Sequence, residues 1–562
     1  MHFSQDLVSD PDQLVSPVCF VGKNGTGKSN ALELICELFY YLDSLLLDYP
    51  AENLLSKKTF GFEIEYTFEM TWADAFDKWK DANFSWNDAY RHVKIVKKVD
   101  DKEPIYWLID SEMNETKIQR KGDTKRDVRE KIKKLLPSKI IGYSSGLNEL
   151  ISTPFLKMQF HYFHEYQKRL EEDVLDGFED GRLFYMNYES NAAVVVANFL
   201  LEDERKLQVL NDTLEIADIE SFRIVIEFGN YVEINSEAGS NKEKYDLTDY
   251  FKKELNNLKQ IATTHKEKIK NNVLTGQSKT ILTLDFKVDS STKSAFKHFF
   301  GDTYSLYSFF HRMHLLNLYK ISQEKHEAVR SAVSGVNIFN FLPKIAVDES
   351  LFRIEKVKLV KSDGKAIVEY KNISDGEHQF MHIIGTIMIM NRPKTLLILD
   401  EPETHFNPKW RSKLVNTLNK IEKAEIEVLN NSNQKRIKKS TEVILTTHSP
   451  FIISDSDRSR VWKFYKENEE PMADLIKVKT YGTSFSVLLE EAFDKPETIS
   501  EMSSGYIEDL RKQIEEMELV GTYTKKTIEQ FQKKVLELGE SVEKFELYSY
   551  LNNLINEIAK VK

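Results

Sequence analysis

The first strong pattern along the chain is an apolar run that stops at a glycine-rich loop and gives way to an amphipathic stretch. Residues 18–21 (VCFV) are all apolar, which is typical of a buried strand. Across residues 30–42 apolar positions recur at helical spacing, and we expect Leu34, Leu38 and Leu42 to share the buried face of a helix. The pattern therefore predicts a strand, a loop and a helix in that order.

The loop between this strand and this helix fits the phosphate-binding pattern G-x-x-x-x-G-K-[ST]. Backbone N–H groups at the start of a helix point toward a bound phosphate. In this setting Lys28 would contact the β- and γ-phosphates of a nucleotide, and the hydroxyl of Ser29 would bind Mg²⁺. The alternative is a glycine turn without a ligand. The residues predicted to hold the nucleotide are Gly22, Lys23, Asn24, Gly25, Thr26, Gly27, Lys28, Ser29 and Asn30.

Other segments carry patterns that predict the surrounding architecture. Residues 60–68 alternate between apolar and polar side chains, as a half-buried strand does. Hairpins are predicted at residues 92–109 and 352–370, the second with an Asp-Gly turn at residues 363–364. Helical spacing extends over residues 249–271 and 291–320.

These patterns divide the chain into four units. The first is an N-terminal lobe with the phosphate loop and an antiparallel side sheet, at residues 1–150. A mainly helical insertion is expected at residues 151–345, and a C-terminal lobe at residues 346–497. Residues 498–562 form amphipathic helices, and we expect this tail to dock a partner or to pack on itself.

Composition and charge narrow the classes of protein. With 562 residues, of which 41% are hydrophobic, the chain is expected to fold into several units. An apolar run of membrane-spanning length and an export signal are both missing, so we expect a cytoplasmic protein. The net charge of −11 argues against a protein that coats nucleic acid with its whole surface, although residues 117–139 are rich in Lys and Arg. Cys19 and Cys36 are expected to be small buried side chains.

Two further apolar runs end in residues with catalytic chemistry. Residues 395–399 lead to Asp400 and Glu401, and residues 442–447 lead to His448. Because parallel strands deliver their C-terminal ends to one edge of a sheet, we expect these side chains beside the phosphate loop. Asp400 would hold Mg²⁺ through water, Glu401 would be the general base, and His448 would donate a hydrogen bond to the γ-phosphate. The alternative is a set of ordinary polar strand ends.

A second segment suited to phosphate lies before the paired acids. Ser374, Asp375, Gly376 and Glu377 stand at the start of an apolar helix, where a hydroxyl and backbone N–H groups can receive a phosphate. The chain already has one phosphate loop. We therefore expect the second segment to cover a nucleotide held by another copy of the chain.

The ordered motifs GKNGTGKS, ISDGE, LLILDEPETHFNP and LTTHSP resemble the soluble branch of the ATP-binding-cassette ATPases, with RecF, SMC and overcoming-lysogenization (OLD) ATPases as relatives. The resemblance implies an α/β P-loop head with a mixed central sheet and an antiparallel side sheet, a helical insertion and a helical tail. It also implies a head-to-head dimer around two ATP molecules with Mg²⁺. Each site would join Lys28, Asp400 and Glu401 of one subunit to Ser374 and Gly376 of the other.

The chain departs from that family's pattern in two places. Asp375 stands where the transporters have a glycine in the signature segment, as is usual in the soluble branch. A glutamine loop is not identifiable, and residues 144–148 are a candidate by position alone.

Within this branch, the chain is most similar to the PtuA ATPases of Septu and retron-associated antiphage defence systems. The similarity lies in the compact length, the helical tail and the sequences of residues 143–146 and 481–485. That narrower resemblance implies an HNH nuclease partner subunit. In retron-associated members it also implies a complex with a reverse transcriptase and its RNA–DNA product.

Two alternatives remain open at this point. The chain could be a RecF-like DNA-repair ATPase that grips DNA through residues 117–139, or a nucleotide-gated scaffold with little turnover. A nuclease site in the chain itself is not expected. Asp455 and Asp457 form a D-x-D pair that we interpret as a polar cap rather than as metal ligands.

Overall fold

Strands and helices are mixed along most of the chain. The computed structural model describes residues 16–51, 60–69, 90–109, 113–118, 124–146, 149–171, 181–187, 190–228, 231–233, 244–246, 251–271, 278–332, 338, 350–390, 394–431, 441–495, 499–521 and 524–561. The strands are β1 (Val18–Val21), β2 (Phe62–Glu69), β3 (Tyr90–Lys97), β4 (Ile105–Ile109), β5 (Glu115–Lys117), β6 (Lys139–Ser144), β7 (Leu183–Tyr185), β8 (Ile216–Phe228), β9 (Tyr231–Glu233), β10 (Lys244–Asp246), β11 (Thr264–Asn271), β12 (Ser278–Lys287), β13 (Phe352–Lys361), β14 (Ile367–Glu369), β15 (Thr395–Asp400), β16 (Thr441–Thr446), β17 (Val461–Glu467) and β18 (Glu470–Leu475).

The helices run from the phosphate loop to the C-terminal tail. They are α1 (Lys28–Ser44), α2 (Lys125–Leu135), α3 (Glu149–Glu171), α4 (Asn191–Leu201), α5 (Glu204–Leu214), α6 (Lys252–Ile261), α7 (Ser290–Phe300), α8 (Thr303–Leu315), α9 (Gln323–Ser331), α10 (Asp375–Met390), α11 (Pro408–Arg411), α12 (Leu414–Asn431), α13 (Pro450–Ser454), α14 (Phe485–Phe493), α15 (Glu501–Leu519), α16 (Lys525–Leu536) and α17 (Val542–Val561). Within the described part of the chain, none of them has the length and apolar composition of a membrane span.

A seven-stranded sheet positions the motif segments side by side. Its strand order is β18-β17-β1-β16-β15-β6-β7, and every neighbouring pair is parallel except β17 and β18. The strand before the phosphate loop therefore lies next to the strand that ends at His448, which in turn lies next to the strand that ends at Asp400. The predicted α/β fold class, with a mixed central sheet, is confirmed.

Two hydrophobic cores cover the two faces of this sheet. Alternate residues of each central strand point to opposite sides, so Val18 and Phe20 belong to one core while Cys19 and Val21 belong to the other. The first core also contains residues of α1, α3 and the antiparallel sheet β2-β3-β4-β5. The second contains residues of α4, α10 and the five-stranded sheet β11-β12-β8-β13-β14. Both cysteines are fully buried, as expected.

The buried face of α1 differs from the predicted one. Leu34 is 71% exposed, whereas Leu32, Cys36 and Phe39 are buried. Leu42 is fully buried and Leu38 packs against the same core, so the prediction was wrong for Leu34 only. A leucine repeat with a spacing of four drifts around a helix of 3.6 residues per turn, which places Leu34 away from the core. Residues 264–271, predicted as helix, are instead the edge strand β11, paired in antiparallel register with β12. The segment 151–345 thus contains a sheet as well as helices.

The three C-terminal helices have a core of their own. Ile507 and Leu510 of α15, Ile528 of α16, and Leu547 and Leu551 of α17 are buried against one another. This unit also carries exposed apolar side chains, which are considered below.

Candidate functional site

The phosphate loop leaves the C-terminal end of β1 and enters α1. Gly22 has a φ of 137°, and a Cβ there would lie 2.3 Å from the carbonyl oxygen of Phe464 in β17. Gly27 has a φ of 98° at the residue before α1. Only glycine fits at Gly22 without displacing β17. Glycine is therefore required there by packing as well as by phosphate binding. Asn24 and Gly25 at the loop tip are exposed.

Lys28 folds back over this loop. Its ammonium donates hydrogen bonds to the carbonyl oxygens of Gly22 and Lys23, both at 2.9 Å. Burial lowers the pKa of Lys28, and the charges of Glu401 and Asp400 oppose that shift. The N–H groups of the first turn of α1 and the ammonium group of Lys28 therefore lie together, and both kinds of group bind the oxygens of a polyphosphate.

Asp400 connects the phosphate loop to two other strand ends. Its Oδ1 accepts hydrogen bonds from Ser29 Oγ at 3.0 Å and from Thr446 Oγ1 at 2.7 Å. Its Oδ2 accepts one from Ser144 Oγ at 3.2 Å. The candidate segment at residues 144–148 thus has one end at the site, while residues 147 and 148 lie outside the described residues. Asp400 itself is 6% exposed.

These oxygen donors fit Mg²⁺. Magnesium is usually held by one or two carboxylates with water and substrate phosphates, rather than by a cage of protein ligands. Asp400 with the hydroxyl of Ser29 provides such a partial set. Consistent with this, the described residues contain no cluster of three or more His, Cys, Asp or Glu side chains that could hold a metal alone.

Glu401 follows Asp400 in an unusual backbone conformation. Its φ is 47°, in the left-handed region, and its N–H donates to Thr446 Oγ1 at 3.0 Å. Such a conformation in a residue other than glycine costs free energy and often marks a functional position. The carboxylate is 39% exposed and therefore accessible.

His448 lies beside that carboxylate. Its Nε2 is 3.4 Å from Glu401 Oε1, and its ring stacks on Phe493 of α14 with centroids 5.5 Å apart. Burial is the main cause that lowers the pKa of His448, and Lys28 adds to the effect, whereas Glu401 and Asp400 oppose it. The imidazole is therefore neutral near pH 7, and its contact with Glu401 is not an ion pair at that pH.

The loop after Glu401 is fixed by two buried side chains that the sequence patterns did not single out. Gln379 of α10 donates to the carbonyl oxygen of Pro402 at 2.8 Å and accepts from the N–H of His405 at 3.2 Å. Glu403 accepts from the hydroxyl of Thr447, and from the N–H of His448 at 3.3 Å. Burial raises the pKa of Glu403. The acids and the histidine strand are thus tied together behind the site.

The second phosphate-binding segment forms the start of α10. Ser374 and Glu377 make reciprocal hydrogen bonds of 2.9 and 3.3 Å, the geometry of a capping box. Lys361 contacts Glu377 at 3.2 Å. A Cβ on Gly376 would lie 2.8 Å from the carbonyl oxygen of His405, so this segment lies against the loop after Glu401. These contacts are with its own lobe, while the side chains of Ser374 and Asp375 are exposed.

Two other predicted features have clear positions. Asp457 caps the short 3₁₀ helix Arg458–Arg460 by accepting from the N–H of Ser459 at 2.8 Å, which confirms the polar-cap interpretation. Within the basic segment 117–139, Arg129 bonds Asp48 and Lys133 bonds Glu130. Lys139 is buried and donates to the carbonyl oxygen of Gly181.

Part of the chain matches a known protein family. Residues 197–454, just under half of the chain, match the family described as "AAA domain, putative AbiEii toxin, Type IV TA system". This range includes Ser374, Asp400, Glu401 and His448 and begins after the phosphate loop. Together with the site's geometry, the match supports a P-loop ATPase domain of the AAA type.

Individual proteins also show similarity to this chain. The chain is 25% identical over 197 residues to protein ea59 of Escherichia phage lambda, and the matched region covers 33% of this chain and 32% of that protein. The chain therefore spans about a third of the length of protein ea59. The SMC head domain from Thermotoga maritima aligns over 85% of this chain and 93% of its own, with 10% identity and a TM-score of 0.29. Similarity at that level carries no argument about function.

Proposed function

We propose that this protein binds and hydrolyses ATP with Mg²⁺. The observation that carries the proposal is the contact between Ser29 and Asp400, which brings the phosphate loop and the strand-end carboxylate within 3.0 Å. In the proposed site, Lys28 and the first turn of α1 hold the phosphates, while Ser29 and Asp400 hold the metal. The bound Mg²⁺ neutralises charge on the phosphates.

Glu401 is the proposed general base. Its carboxylate is accessible, whereas that of the neighbouring Asp400 is buried. It would take a proton from the attacking water, and the neutral imidazole of His448 would orient that water or the terminal phosphate.

The test is Mg²⁺-dependent phosphate release by the purified chain. We expect release from ATP that is lost in Lys28→Ala and retained in Lys466→Ala, which changes an exposed lysine of β17. Turnover that persists in Lys28→Ala would refute the assignment of the site. Tight ATP binding without turnover would leave the nucleotide-gated scaffold as the better description.

We further propose a head-to-head dimer in which Ser374 and Gly376 of one subunit cover the ATP of the other. The exposure of Ser374, Asp375 and the loop tip at Asn24 supports this proposal, because both surfaces are open to a second copy. Two closed sites per dimer follow from two-fold symmetry.

Mixing two inactive variants tests the shared site. Lys28→Ala and Ser374→Arg each inactivate both sites of their own homodimer. In a mixed dimer one site combines Lys28 of the Ser374→Arg subunit with Ser374 of the Lys28→Ala subunit and is intact. Half of the dimers in an equimolar mixture are mixed and have one working site of two, so roughly a quarter of the wild-type rate should return. A mixture that stays as inactive as its components would mean that each subunit works alone.

We propose that this cycle regulates a nuclease partner of the HNH type in antiphage defence. The proposal rests on the resemblance of the chain's motifs to the ATPases of antiphage defence systems, and the matched family description names a toxin of a type IV toxin–antitoxin system without naming a nuclease. A reverse transcriptase with its RNA–DNA product belongs to the same proposal. The docking surface would be the tail patch, defined as the exposed apolar side chains Leu536, Val542 and Phe545 near the turn between α16 and α17.

Point changes in the full chain test this surface. The double variant Val542→Asp/Phe545→Asp should no longer co-purify with the HNH protein encoded beside it and should lose protection in a phage plaque assay. Leu519→Asp, which is equally exposed but lies at the end of α15, is the matched control. Undiminished co-purification of the double variant would exclude the tail patch as the docking surface.

A further inference from the structure

The outer face of the five-stranded sheet is basic in a protein whose net charge is −11. One face of β8, β12 and β13 packs into the core, and the opposite face carries exposed and half-buried side chains around the buried Val225. We call the solvent-facing side the lysine face. It is defined by the exposed side chains Lys266 and Lys268 of β11, Lys287 of β12, and Lys356 and Lys358 of β13.

The sheet register places these lysines together. Ser221 of β8 pairs with Lys287 on one side and with Lys358 on the other. Neighbouring strands are about 4.8 Å apart, so the backbones of the two lysines are about 10 Å apart across the serine. Lys266 continues the same face, because its partner Thr283 pairs with Val225 of β8.

A β-bulge adds the fifth cation to this end of the sheet. Between Glu355 and Lys358 the register of β13 against β8 shifts, which inserts one extra residue. Lys356 has a φ of 51° in this bulge, a costly conformation for a residue other than glycine. The bulge leaves Lys356 and Lys358 both exposed on either side of the buried Val357.

The carboxylates of this face are already neutralised. Asp285 accepts two hydrogen bonds from Arg223, at 2.6 and 2.8 Å, and Glu355 is paired with Arg353. Glu227 is paired with Lys320 at 3.0 Å. Glu369, the cross-strand partner of Lys358, is paired with Lys371 at 2.9 Å, and its charge also acts on Lys356 and Lys358. Asp289 interacts electrostatically with Lys287. In the described part of the chain, none of the five ammonium groups of the lysine face forms a direct ion pair with a carboxylate.

A cavity of about 340 Å³ opens among three of these lysines. Lys287, Lys356 and Lys358 line it together with the hydroxyl-bearing residues Ser221, Thr263 and Thr264. Its acidic residues are Glu220 and the Asp285 that Arg223 neutralises. Ammonium and hydroxyl groups around a concave surface are suited to the oxygens of a phosphate.

We propose that the lysine face binds the phosphate backbone of double-stranded DNA without reading its sequence. Lysine ammonium groups contact phosphates as point charges and do not distinguish bases. Proteins that hold single strands stack bases on aromatic side chains, and the described outward-pointing residues of β8, β11, β12 and β13 include no aromatic one. The lysines extend over on the order of 20 Å, enough for several phosphates of one duplex. The basic segment 117–139 is less suited, since Arg129, Lys133 and Lys139 are engaged within the protein.

Salt-dependent binding tests this assignment. Fluorescence anisotropy with two labelled 30-bp duplexes of unrelated sequence should give equal affinities for the full chain. The logarithm of the association constant should fall with the logarithm of salt concentration at a slope of about −4.5, since each of five lysines releases counterions. The triple variant Lys287→Gln/Lys356→Gln/Lys358→Gln should reduce that slope to about −2 and weaken binding by about tenfold or more.

The matched control removes three exposed lysines of the tail, Lys512→Gln/Lys525→Gln/Lys526→Gln, and should bind duplex as the wild type does. Equal binding by the two triple variants would overturn the proposal, as would tighter binding of single strands or of duplex RNA than of duplex DNA. A wild-type chain that binds no duplex at low salt would overturn it too. The measurement is repeated in Lys28→Ala, so it does not depend on ATP turnover.

Discussion

The hydroxyl of Ser29 lies 3.0 Å from Oδ1 of Asp400, although the two residues are 371 positions apart in the chain. The contact exists because β16 lies between β1 and β15 in the central sheet, so that both strands end at the same edge. A phosphate loop and a carboxylate suited to Mg²⁺ therefore form one site.

Changing either Ser29 or Asp400 should weaken Mg²⁺ binding more than it weakens ATP binding. For Asp400→Asn and Ser29→Ala we expect the Mg²⁺ concentration for half-maximal ATP turnover to rise about tenfold or more, because the first change removes the negative charge beside the metal and the second removes a hydroxyl oxygen. Titrating Mg²⁺ at fixed ATP measures this. Asp474→Asn, in the edge strand β18, is the control. An unchanged Mg²⁺ requirement in Asp400→Asn would contradict the assignment.

Replacing Thr446 should reduce both the stability of the protein and its kcat. Its hydroxyl donates to Asp400 and accepts from the N–H of Glu401, and the side chain is fully buried. The isosteric Thr446→Val removes the acceptor of the Glu401 N–H and one of the donors to Asp400, so we expect a loss of about 1–3 kcal/mol in the free energy of unfolding and a lower kcat. Urea unfolding and steady-state kinetics measure the two effects. Thr283→Val, a threonine of β12, should show neither, and a fully active, equally stable Thr446→Val would refute this role.

Gln379 should position the catalytic loop without touching ATP. It bonds both Pro402 and His405, so Gln379→Leu should release the loop that follows Glu401. We expect kcat to fall by about tenfold while the KM for ATP stays within about twofold, because the phosphate loop is untouched. Gln532→Leu in the tail controls for loss of a surface amide. A change confined to KM would show that Gln379 acts on binding instead.

Buried histidines should make the protein sensitive to acid. Burial lowers the pKa of His382 from 6.5 to about 3, so the native state binds fewer protons than the unfolded state between these values. Stability contributed by this group is present above pH 6.5 and is lost as pH falls toward 3. Each pH unit in that window costs about 1.4 kcal/mol per histidine. Urea unfolding at pH 7.5 and 5.5 should show a smaller difference for His382→Gln than for wild type, and an equal difference would contradict the prediction.

Those parts of the fold that are set by local pattern could be predicted from the sequence. The apolar runs before Gly22, Asp400 and His448 are too regular to be surface segments, and all three are central strands. The hairpin at residues 352–370 formed at its Asp-Gly turn, with β13 and β14 in antiparallel register. The roles of the site residues remain predictions.

Tertiary contacts determine those parts of the fold and of the site that could not be predicted from the sequence. Residues 264–271 contain many lysines, which suit a helix, yet they form β11 because β12 offers a full row of backbone partners. Gln379 and Glu403 carried no motif signal that assigned them a role. Their role follows from burial beside loop carbonyls and amides that only the folded chain brings near. A threonine pair at the end of an apolar strand, as at residues 446–447, is the one local sign that could have pointed to this network.

Glu401→Gln separates ATP hydrolysis from ATP binding. The substitution keeps the size of the side chain and removes its ability to accept a proton, so ATP binding and folding should be preserved while single-turnover hydrolysis slows by about a hundredfold or more. Glu470→Gln, an exposed acid of β18, should hydrolyse ATP at the wild-type rate. The account predicts a bound, unhydrolysed ATP in Glu401→Gln. Hydrolysis at the wild-type rate in that variant would contradict it.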